Sequence, residues 1–552
     1  MSNNKNIILG INWEQNSTAS LMINGKIIDV ASEERFTKIK NDESYPKKAI
    51  DWLLKNNKLS KKDINYVSFI SKVWSPTYPL IRHYTGFSIK DYIDEQKNIW
   101  FKKIYNKENV SFLKYFKKKI DLLQYPGKSF WKSNLKKIQN KSDHLSNKSL
   151  IKYGQEIRVK TVTKHLSIDR KKIKFVDHSE GHSSYAYFSG KLCNTKTLVL
   201  TLDAFGDFLN YTARVYSLNK NGNYEIKKIA NGSNFIIGRL YRYVTLILGL
   251  KPNEHEYKVM GLAPYCKKKY YLNVLNIFRD FQKVNGVKFV DKKRPKDLYF
   301  GVKKLIETNR FDAVAGGLQA YSEELIVKWI ENCIKKTGVK NVCLAGGVGL
   351  NVKANFLVSK IKNLNNFYVP PSPDDSSQGM GACYATYLKL FNENLLNSNK
   401  QKKLPKPSPL KNAYLGYEIK DEEVIATIKK FNLKKKYIIK NKNINLIAAK
   451  LISKGKIISR AVGKAEFGAR ALGNRSILAD PSNVNVKRKI NEKIKNRDFW
   501  MPFAATTNYL NCKNILIASF AELTMGFPCK LKDVFNKAYT FVSFPKLLIR
   551  FS

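Results

Sequence analysis

The stretch TLVLTLDAFGD (residues 197–207) decides the fold, because it opens a run of three predicted strands. YTARVYSL (211–218) follows it, and after a turn at Asn221-Gly222 comes YEIKKIA (224–230). Apolar runs of this length, bounded by glycine turns, are typical of strands joined by hairpins. The sequence therefore predicts a sheet that begins at residue 197.

A similar set stands at the start of the chain. IILGINW (7–13) and SLMI (20–23) precede an Asn24-Gly25 turn and KIIDVAS (26–32). Both sets lead into helical segments, so we predict two related lobes. The second lobe continues with a strand and glycine turn in NVCLAGGVGLN (341–351) and closes with the helix GACYATYLKLF (381–391).

Composition divides the chain further. Residues 397–412, NSNKQKKLPKPSPLKN, are polar, basic and proline-rich, which predicts a linker between domains 1–396 and 413–552. Beyond it we predict a short strand AYLGYEI (413–419), helices in 421–431 and 444–455, and a strand IISRAVG (457–463). A basic, helical insertion occupies about 80–170 and carries no evident chemistry.

Charge and length narrow the class of protein. With 552 residues and 43% hydrophobic content the chain is globular and can form two or three domains. Its net charge of +55 is spread over nearly every segment, which indicates a residue-usage bias and makes nucleic acid an unexpected partner. An anionic-polymer surface within 101–174 stays open, although a solvated face is favoured.

The cellular compartment follows from cysteines and apolar runs. The seven cysteines form no CxxC pair and lie mostly in apolar runs, which predicts a reducing compartment without disulfides. The first residues are too polar for a signal peptide, and the run FIIGRLYRYVTLILGL (235–250) is interrupted by Arg239 and Arg242. We therefore expect a cytoplasmic protein with no membrane span.

Two of the six histidines lie four residues apart, in FVDHSEGHSSYAYF (175–188). On a helix, His178 and His182 would share one face and could bind one cation. Asp203 ends the strand that follows, and one carboxylate of Asp374 or Asp375 could complete the set. Mixed nitrogen and oxygen ligands suit iron, zinc or manganese better than calcium or magnesium. For the pair alone, a histidine at a strand end and another packed in the core is an equally open interpretation.

Glycine-rich turns indicate a nucleotide. Gly346, Gly347 and Gly349 lie between a strand and a helix, where bare backbone can approach phosphates. A tight strand-to-helix turn needs glycines as well, so that alternative stays open. Gly206 and Asp207 form a second turn of this kind, as a nucleotide cleft between two lobes would require.

An arginine-rich loop, EFGARALGNRSILADP (466–481), predicts an anion site. Arg470 and Arg475 flank a Gly473-Asn474 turn, and arginine binds phosphate or carboxylate bidentately. The alternative is a surface network of salt bridges. The residues that would complete the anion pocket are Ser476, Lys487, Lys495 and Arg497.

The motifs together resemble one family. ASEERFTKIKND, DHSEGHSSYAYF, LTLDAFGD, HEYKVMGLAPY, LAGGVGLNVKAN, PDDSSQGMGACYA and EFGARALGNRSILADP followed by PFA occur in the order typical of the O-carbamoyltransferases of the nodulation, cephamycin and aminoglycoside type. The resemblance covers about 7–72 and 173–505. It implies an α/β, two-lobed ATPase fold of the actin and heat-shock-chaperone type, followed by a smaller α/β domain of the YrdC type.

The resemblance also implies a reaction. Carbamoyl phosphate and ATP, with Mg for the ATP, would form carbamoyl adenylate in the C-terminal domain. A sugar or natural-product hydroxyl would then take the carbamoyl group at a metal centre, with iron the first expectation. The implied metal ligands are His178, His182, Asp203 and Asp375. The implied adenylate contacts are Gly206, the glycines of LAGGVGLN, Asn351 and Lys258, and the implied phosphate contacts are Arg470, Arg475, Ser476, Lys495 and Arg497.

The chemistry of carbamoyl transfer fits these residue types. A bound cation can polarise the carbamoyl oxygen, and a neutral imidazole such as His182, or Asp207, could take the proton of the acceptor hydroxyl. Lys258 is placed among the catalytic residues by the resemblance. The acceptor itself and the oligomeric state cannot be read from the sequence.

Differences from the family keep alternatives open. Gln15-Asn16 replaces a His-Asp pair, and beyond about residue 510 the usual motifs are missing, so we expect an incomplete C-terminal domain and uncertain adenylate formation. One alternative is a tRNA threonylcarbamoyladenosine-type protein. The other is a non-catalytic remnant that binds nucleotide or acceptor.

Overall fold

A computed structural model describes residues 5–75, 81–82, 86–121, 147–396, 404–503 and 548–549. The chain divides into two compact units, Met1–Lys411 and Asn412–Ser552. The tail that the sequence predicts to be incomplete lies almost wholly outside the described residues.

The first sheet of the N-terminal unit has five strands. They are β1 (Ile7–Asn12), β2 (Thr18–Ile23), β3 (Lys26–Ser32), β4 (Tyr66–Ile70) and β5 (Ile173–Val176). Their order is β3-β2-β1-β4-β5, with β1, β2 and β3 antiparallel and with β4 and β5 parallel to β1. Buried apolar side chains on both faces of β1 make it a central strand.

The second sheet repeats this order. Its strands are β6 (Thr197–Gly206), β7 (Leu209–Leu218), β8 (Tyr224–Gly232), β11 (Asn341–Ala345) and β12 (Asn366–Tyr368), arranged β8-β7-β6-β11-β12. Again three antiparallel strands are extended by two parallel ones. The predicted strands and the duplicated two-lobed ATPase fold are therefore confirmed.

Helices connect and cover the sheets. In the first lobe and the insertion they are α1 (Glu34–Thr37), α2 (Lys47–Asn56), α3 (Ile89–Glu95), α4 (Phe112–Tyr115), α5 (Lys117–Asp121) and α6 (Asn147–Leu166). The second lobe contains α7 (His178–Phe188), α8 (Ile237–Ile247), α9 (Glu256–Leu262), α10 (Lys268–Arg279), α11 (Phe300–Ile306), α12 (Phe311–Thr337), α13 (Val352–Val358) and α14 (Gln378–Leu396). A small hairpin, β9 (Gln282–Asn285) with β10 (Lys288–Asp291), precedes α11.

Two of these helices tie the lobes together. Helix α7 follows β5 of the first sheet but packs on β6 and β11 of the second, whereas α14 follows the second sheet and packs on β1 and β2. The helices also pack on each other, where the backbone of Gly181 lies close to Gly381. This crossing brings the ends of both sheets to one place, which is where the candidate site lies.

The C-terminal unit is smaller. Its described elements are α15 (Asp421–Lys430), β13 (Ile439–Lys440), α16 (Ile444–Ser453), β14 (Ile458–Ala461), β15 (Arg475–Leu478), α17 (Val484–Lys489) and β16 (Leu548–Ile549). The prediction of a strand in 413–419 is wrong. That segment makes one bridge, from Glu418 to Lys464, and irregular backbone bonds around Gly416 and Gly463, whose φ is 50°.

The predicted linker is partly attached to the first unit. The amide of Ser408 donates to the carbonyl of Gly25, and that of Leu410 donates to Ser189. The hydroxyls of Tyr384 and Tyr387 bond carbonyls in the same segment. No helix in the described ranges is both long and apolar enough to cross a membrane.

Candidate metal centre and nucleotide turn

Helix α7 begins at a well-made N-cap. The carboxylate of Asp177 accepts the backbone amides of Ser179 and Glu180, which satisfies amides that the helix cannot bond itself. His178 is thus the first helical residue and His182 lies one turn later on the same face. The spacing of four therefore places both imidazoles on one face of the helix, as the sequence predicts.

The four predicted ligands come together. One donor atom from each lies within 4.8 Å of the other three, in a set that comprises His178, His182, Asp203 and Asp375. The Nε2 atom of His178 lies 2.9 Å from Asp203 Oδ2 and 3.3 Å from Asp375 Oδ1. The Nε2 atom of His182 lies 3.4 Å and 3.1 Å from the same two oxygens. Both histidines are buried.

Asp375, and not Asp374, reaches this point. Asp374 turns away and accepts hydrogen bonds from the hydroxyls of Ser372 and Ser376. The choice that residue types alone leave open is therefore resolved in the structure in favour of Asp375.

The two histidines and the two carboxylates shift one another's pKa values. Burial opposes a charge on His178, but Asp375 and Asp203 outweigh it and raise its pKa well above the ordinary value. Burial is likewise outweighed at His182, whose pKa is raised by the same two carboxylates. The histidines in turn overcome burial and lower the pKa of Asp203. Imidazoles bind a metal only when they are neutral, so metal binding would release protons from these histidines.

Neighbouring groups fix the ring of His178. Its Nδ1 lies 3.0 Å from the hydroxyl of Ser71 and 3.7 Å from Glu14 Oε2. Burial raises the pKa of Glu14 to about 7. Gly206 leaves room for the ring, since a Cβ there would lie 2.2 Å from His178 Cδ2. A metal-binding histidine commonly bonds its second nitrogen in this way, so the surroundings fit a metal centre.

The predicted glycine turn adjoins the same carboxylate. Gly346 follows β11, and the amide of Gly347 donates to Asp203 Oδ1 at 3.3 Å. Gly349 lies against Pro373. Asn351 caps α13 by accepting the amide of Ala354 and forms a reciprocal amide pair with Gln319. The turn is therefore brought to the centre, whereas the Asn351 side chain supports the helix start.

The structure also places two further predicted residues. Asp207 accepts the amides of Lys72, Val73 and His178 at 2.7–2.9 Å, so its carboxylate organises backbone. Lys258 lies half-buried on α9. Their catalytic roles stay predictions.

In the C-terminal unit the arginine loop closes around a buried carboxylate. Glu466 Oε1 accepts the amides of Leu472, Asn474 and Arg475 at 2.7–3.0 Å. The Arg475 guanidinium donates to the carbonyls of Val462 and Gly463, among others. Arg475 therefore holds the loop itself, and phosphate binding by it stays a prediction.

The other predicted anion contacts differ in exposure. Arg470, Lys487 and Lys495 are exposed, and the hydroxyl of Ser476 accepts the amide of Gly473. Arg497 donates to Asn491 Oδ1 and stacks on Phe503.

We expect Glu466→Gln to loosen this loop. Burial raises the pKa of Glu466, but four backbone amides, its own included, outweigh burial and lower the pKa below 4.5. A lowered carboxyl pKa gives stability above the ordinary value of 4.5, and this stability is lost as the pH falls through the folded-state pKa. At pH 7 the loss of the charged hydrogen-bond acceptor should lower the free energy of unfolding by about 1–3 kcal/mol.

The measurement is hydrogen exchange at the amides of Leu472, Asn474 and Arg475. The exposed Glu492, which pairs with Arg488, supplies the control Glu492→Gln. Equal exchange in the two variants at pH 7 would contradict the prediction, and the difference should shrink in acid.

A polar cavity of about 450 Å³ lies beside the centre. Glu14 lines it together with Gln15 and Trp74, and Arg82, Phe87 and Tyr92 come from the inserted region. Three cationic and three anionic side chains are among its lining residues, namely Lys40, Arg82, Lys251, Glu14, Glu43 and Glu254. The lining can thus both donate and accept many hydrogen bonds.

Comparisons with known proteins follow this geometry. The carbamoyltransferase N-terminus family matches residues 7–384, and the carbamoyltransferase C-terminus family matches residues 449–543. A protein of Synechocystis sp. is 26% identical over 90% of this chain and 75% of its own length. Nodulation protein NolNO of Sinorhizobium fredii is 28% identical over 61% of this chain, which spans about half (48%) of that relative.

Among solved structures, the activator of the 2-hydroxyisocaproyl-CoA dehydratase from Clostridium difficile is 11% identical with a TM-score of 0.32. That alignment covers 72% of this chain and 99% of the activator.

The family matches decide the class of protein. A family model covering residues 7–384 accounts for most of the chain, including both sheets and all four clustered side chains. The chain is therefore a transferase by class. It belongs to the carbamoyltransferase family, whose reaction is the transfer of a carbamoyl group.

Sequence reasoning missed several residues of the site. Ser71 and Glu14 contact His178, Arg214 donates to the Ser179 carbonyl within α7, and the Gln378 amide donates to the His178 carbonyl. Gln378 lies in the motif PDDSSQGMGACYA, but no sequence pattern assigns these residues to the histidines. Only the folded chain brings them to the histidines.

Proposed function

We propose that this protein carries a carbamoyl group from carbamoyl phosphate, through a carbamoyl adenylate made from ATP, to a hydroxyl of a sugar or natural product. The observation that supports this most is the four-donor cluster, with both histidines buried, beside the glycine turn and a polar cavity. O-carbamoylation needs a place for a metal, for the adenylate and for the acceptor. The donor cluster, the glycine turn and the cavity would supply these three places.

The reaction would take place in two stages. Carbamoyl phosphate, water and ATP give carbamoyl adenylate, phosphate and pyrophosphate. The oxygen of the acceptor then bonds the carbamoyl carbon, the bond to AMP breaks, and the acceptor proton passes to a base. We assign the first stage to residues 412–552, around the arginine loop, and the second to residues 1–411.

His178, His182, Asp203 and Asp375 would hold a divalent transition metal, with iron the first candidate. When bound, such a metal supplies a Lewis acid for the carbamoyl oxygen. The protein would exclude water from this point, because three of the four donor residues are buried or nearly so. Ser71 would keep the His178 ring in its orientation.

The polar cavity would accept the hydroxyl compound. Its wall combines carboxylates with lysine and arginine and includes Trp74 and Tyr92, which suits a polyhydroxylated molecule. Because Phe87 and Tyr92 belong to the insertion, that segment would set acceptor preference.

Two assays separate this proposal from the alternatives. Carbamoyl phosphate-dependent release of pyrophosphate from ATP tests the first stage, and carbamoylation of a panel of saccharides and other alcohols tests the second. A full-length chain that binds nucleotide but releases no pyrophosphate and modifies no alcohol would be a non-catalytic protein. Modification of tRNA instead of a small alcohol would move the chain to the other alternative.

We expect Arg470→Ala to weaken carbamoyl phosphate or ATP binding by about 2 kcal/mol, or about 30-fold, because a charged hydrogen bond to phosphate is lost. The exposed Arg488, paired with Glu492, is the matched control. Isothermal titration of each variant gives the affinities. Metal content should be the same in both variants, and equal phosphate affinity would show that the loop does not bind the anion.

A further inference from the structure

Arg158 is a buried guanidinium for which the described residues show no salt bridge. It is 1% exposed, and the carboxylates of Glu14 and Asp207 act on it by charge without a hydrogen bond. Its Nη1 donates to the carbonyls of Ile70 and Ser71 at 3.0 and 2.7 Å, and its Nη2 donates to that of Lys72 at 3.2 Å. Burying a cation costs free energy, which the hydrogen bonds to these three carbonyls must offset.

The helix that carries Arg158 is built to approach this segment closely. Gly154 lies one turn earlier on α6, and a Cβ there would lie 2.1 Å from the carbonyl oxygen of Trp74. The guanidinium also lies 4.6 Å from the ring centre of Phe175 and 5.7 Å from that of Trp74. These aromatic faces add to the favourable charges of Glu14 and Asp207.

The segment held by Arg158 leads to the histidines. Ser71 has a left-handed φ of 61°, which a non-glycine residue keeps only when its surroundings fix it. Arg158 fixes the carbonyl side of this turn, and Asp207 fixes the amides of Lys72 and Val73. The Ser71 hydroxyl belongs to the turn that these two sets of hydrogen bonds hold, and it lies 3.0 Å from Nδ1 of His178.

We propose that Arg158 of the insertion is a positioning residue for the metal centre, which acts by holding the Ser71–Val73 turn and, through the Ser71 hydroxyl, the ring of His178. This inference rests on the metal centre of the proposed function. It also gives the insertion a second task, since α6 packs through Gly154 and Arg158 against Trp74, which lines the cavity.

His165 provides a matched control. It lies on the same helix α6 and anchors it to the first lobe, with Nδ1 bonded to the Tyr45 hydroxyl and Nε2 bonded to Asp51. It touches neither the turn nor the histidines in these contacts. His165→Gln therefore weakens the docking of α6 but leaves the hydrogen bonds from Arg158 to the turn carbonyls in place.

The experiment titrates Co²⁺ into the full-length, metal-free chain and follows the visible absorption of the bound ion. Arg158→Ala and Ser71→Ala should weaken Co²⁺ binding about 10- to 100-fold and change the spectrum, as loss of a hydrogen-bond partner to a ligand does. Guanidinium ion should restore affinity and spectrum to Arg158→Ala only. His165→Gln should keep both, even if its melting temperature falls.

Unchanged affinity and spectrum in Arg158→Ala and Ser71→Ala would overturn the inference, and so would an equal loss in His165→Gln. If Arg158→Ala does not fold, Ser71→Ala decides, because it removes a single hydroxyl. If the wild-type chain binds no Co²⁺, the metal centre itself fails. Hydrogen exchange of the Lys72 and Val73 amides in the metal-free chain then decides about Arg158: exchange no faster than in His165→Gln would refute its hold on the turn.

Discussion

Replacing His182 by alanine is expected to remove the bound metal and stop carbamoyl transfer to the acceptor. His182 is 1% exposed, and its Nε2 lies within 3.4 Å of both carboxylates. Without this ligand the remaining three donors surround a cavity, so affinity should fall by more than the 10- to 100-fold that loss of an outer partner costs. Metal analysis of purified wild type and variant measures the effect.

Adjacent aspartates supply the control for this prediction. Asp375→Asn should lose metal almost as completely as His182→Ala, whereas Asp374→Asn should retain it, because Asp374 bonds two serines and not the histidines. Pyrophosphate release should persist in all three variants, since that stage is assigned to the other unit. Equal metal content in wild type and His182→Ala would contradict the assignment of His182 as a metal ligand.

Gly206→Ala is expected to have the next largest effect. The new methyl group would lie 2.2 Å from His178 Cδ2 and 2.7 Å from its Nε2, far inside contact distance. Because Ser71 and Asp203 hold this ring, it can move only by giving up both bonds. We expect loss of metal comparable to His182→Ala and a fall of about 1–3 kcal/mol in the free energy of unfolding.

Phe205→Ala separates crowding of the ring from damage to the strand. Phe205 precedes Gly206 on β6 but is 48% exposed and lies under the guanidinium of Arg239. Its loss should leave metal content unchanged. Denaturant unfolding and metal analysis of both variants test the pair, and a Gly206→Ala protein with full metal content would show that the ring adapts.

Local patterns predicted most of the fold and the four side chains that cluster. Strands with glycine turns and helices of regular period carry their signal within a few residues, and two histidines four apart report a shared helix face directly. The strand in 413–419 was predicted wrongly because its apolar alternation is broken by the irregular backbone near Gly416.

Groups that act across the fold gave no such signal. Arg158 and Ser71 are 87 positions apart, and the side chain of Arg158 reads as one more cation in a basic insertion. Arg475 shows the converse, because a sequence pattern cannot tell an arginine that faces a ligand from one that bonds nearby carbonyls. Such roles depend on burial, which emerges only when distant segments pack.

The repeated strand order has a consequence for how the centre works. Helix α7 follows the first copy in the chain but packs on the second sheet, and it contributes only imidazoles. The second copy, through β6 and the loop after β12, contributes only carboxylates. A bound ion would therefore join the crossing helix to the ends of two other segments, so that ion binding and the packing of α7 across the two copies would depend on each other.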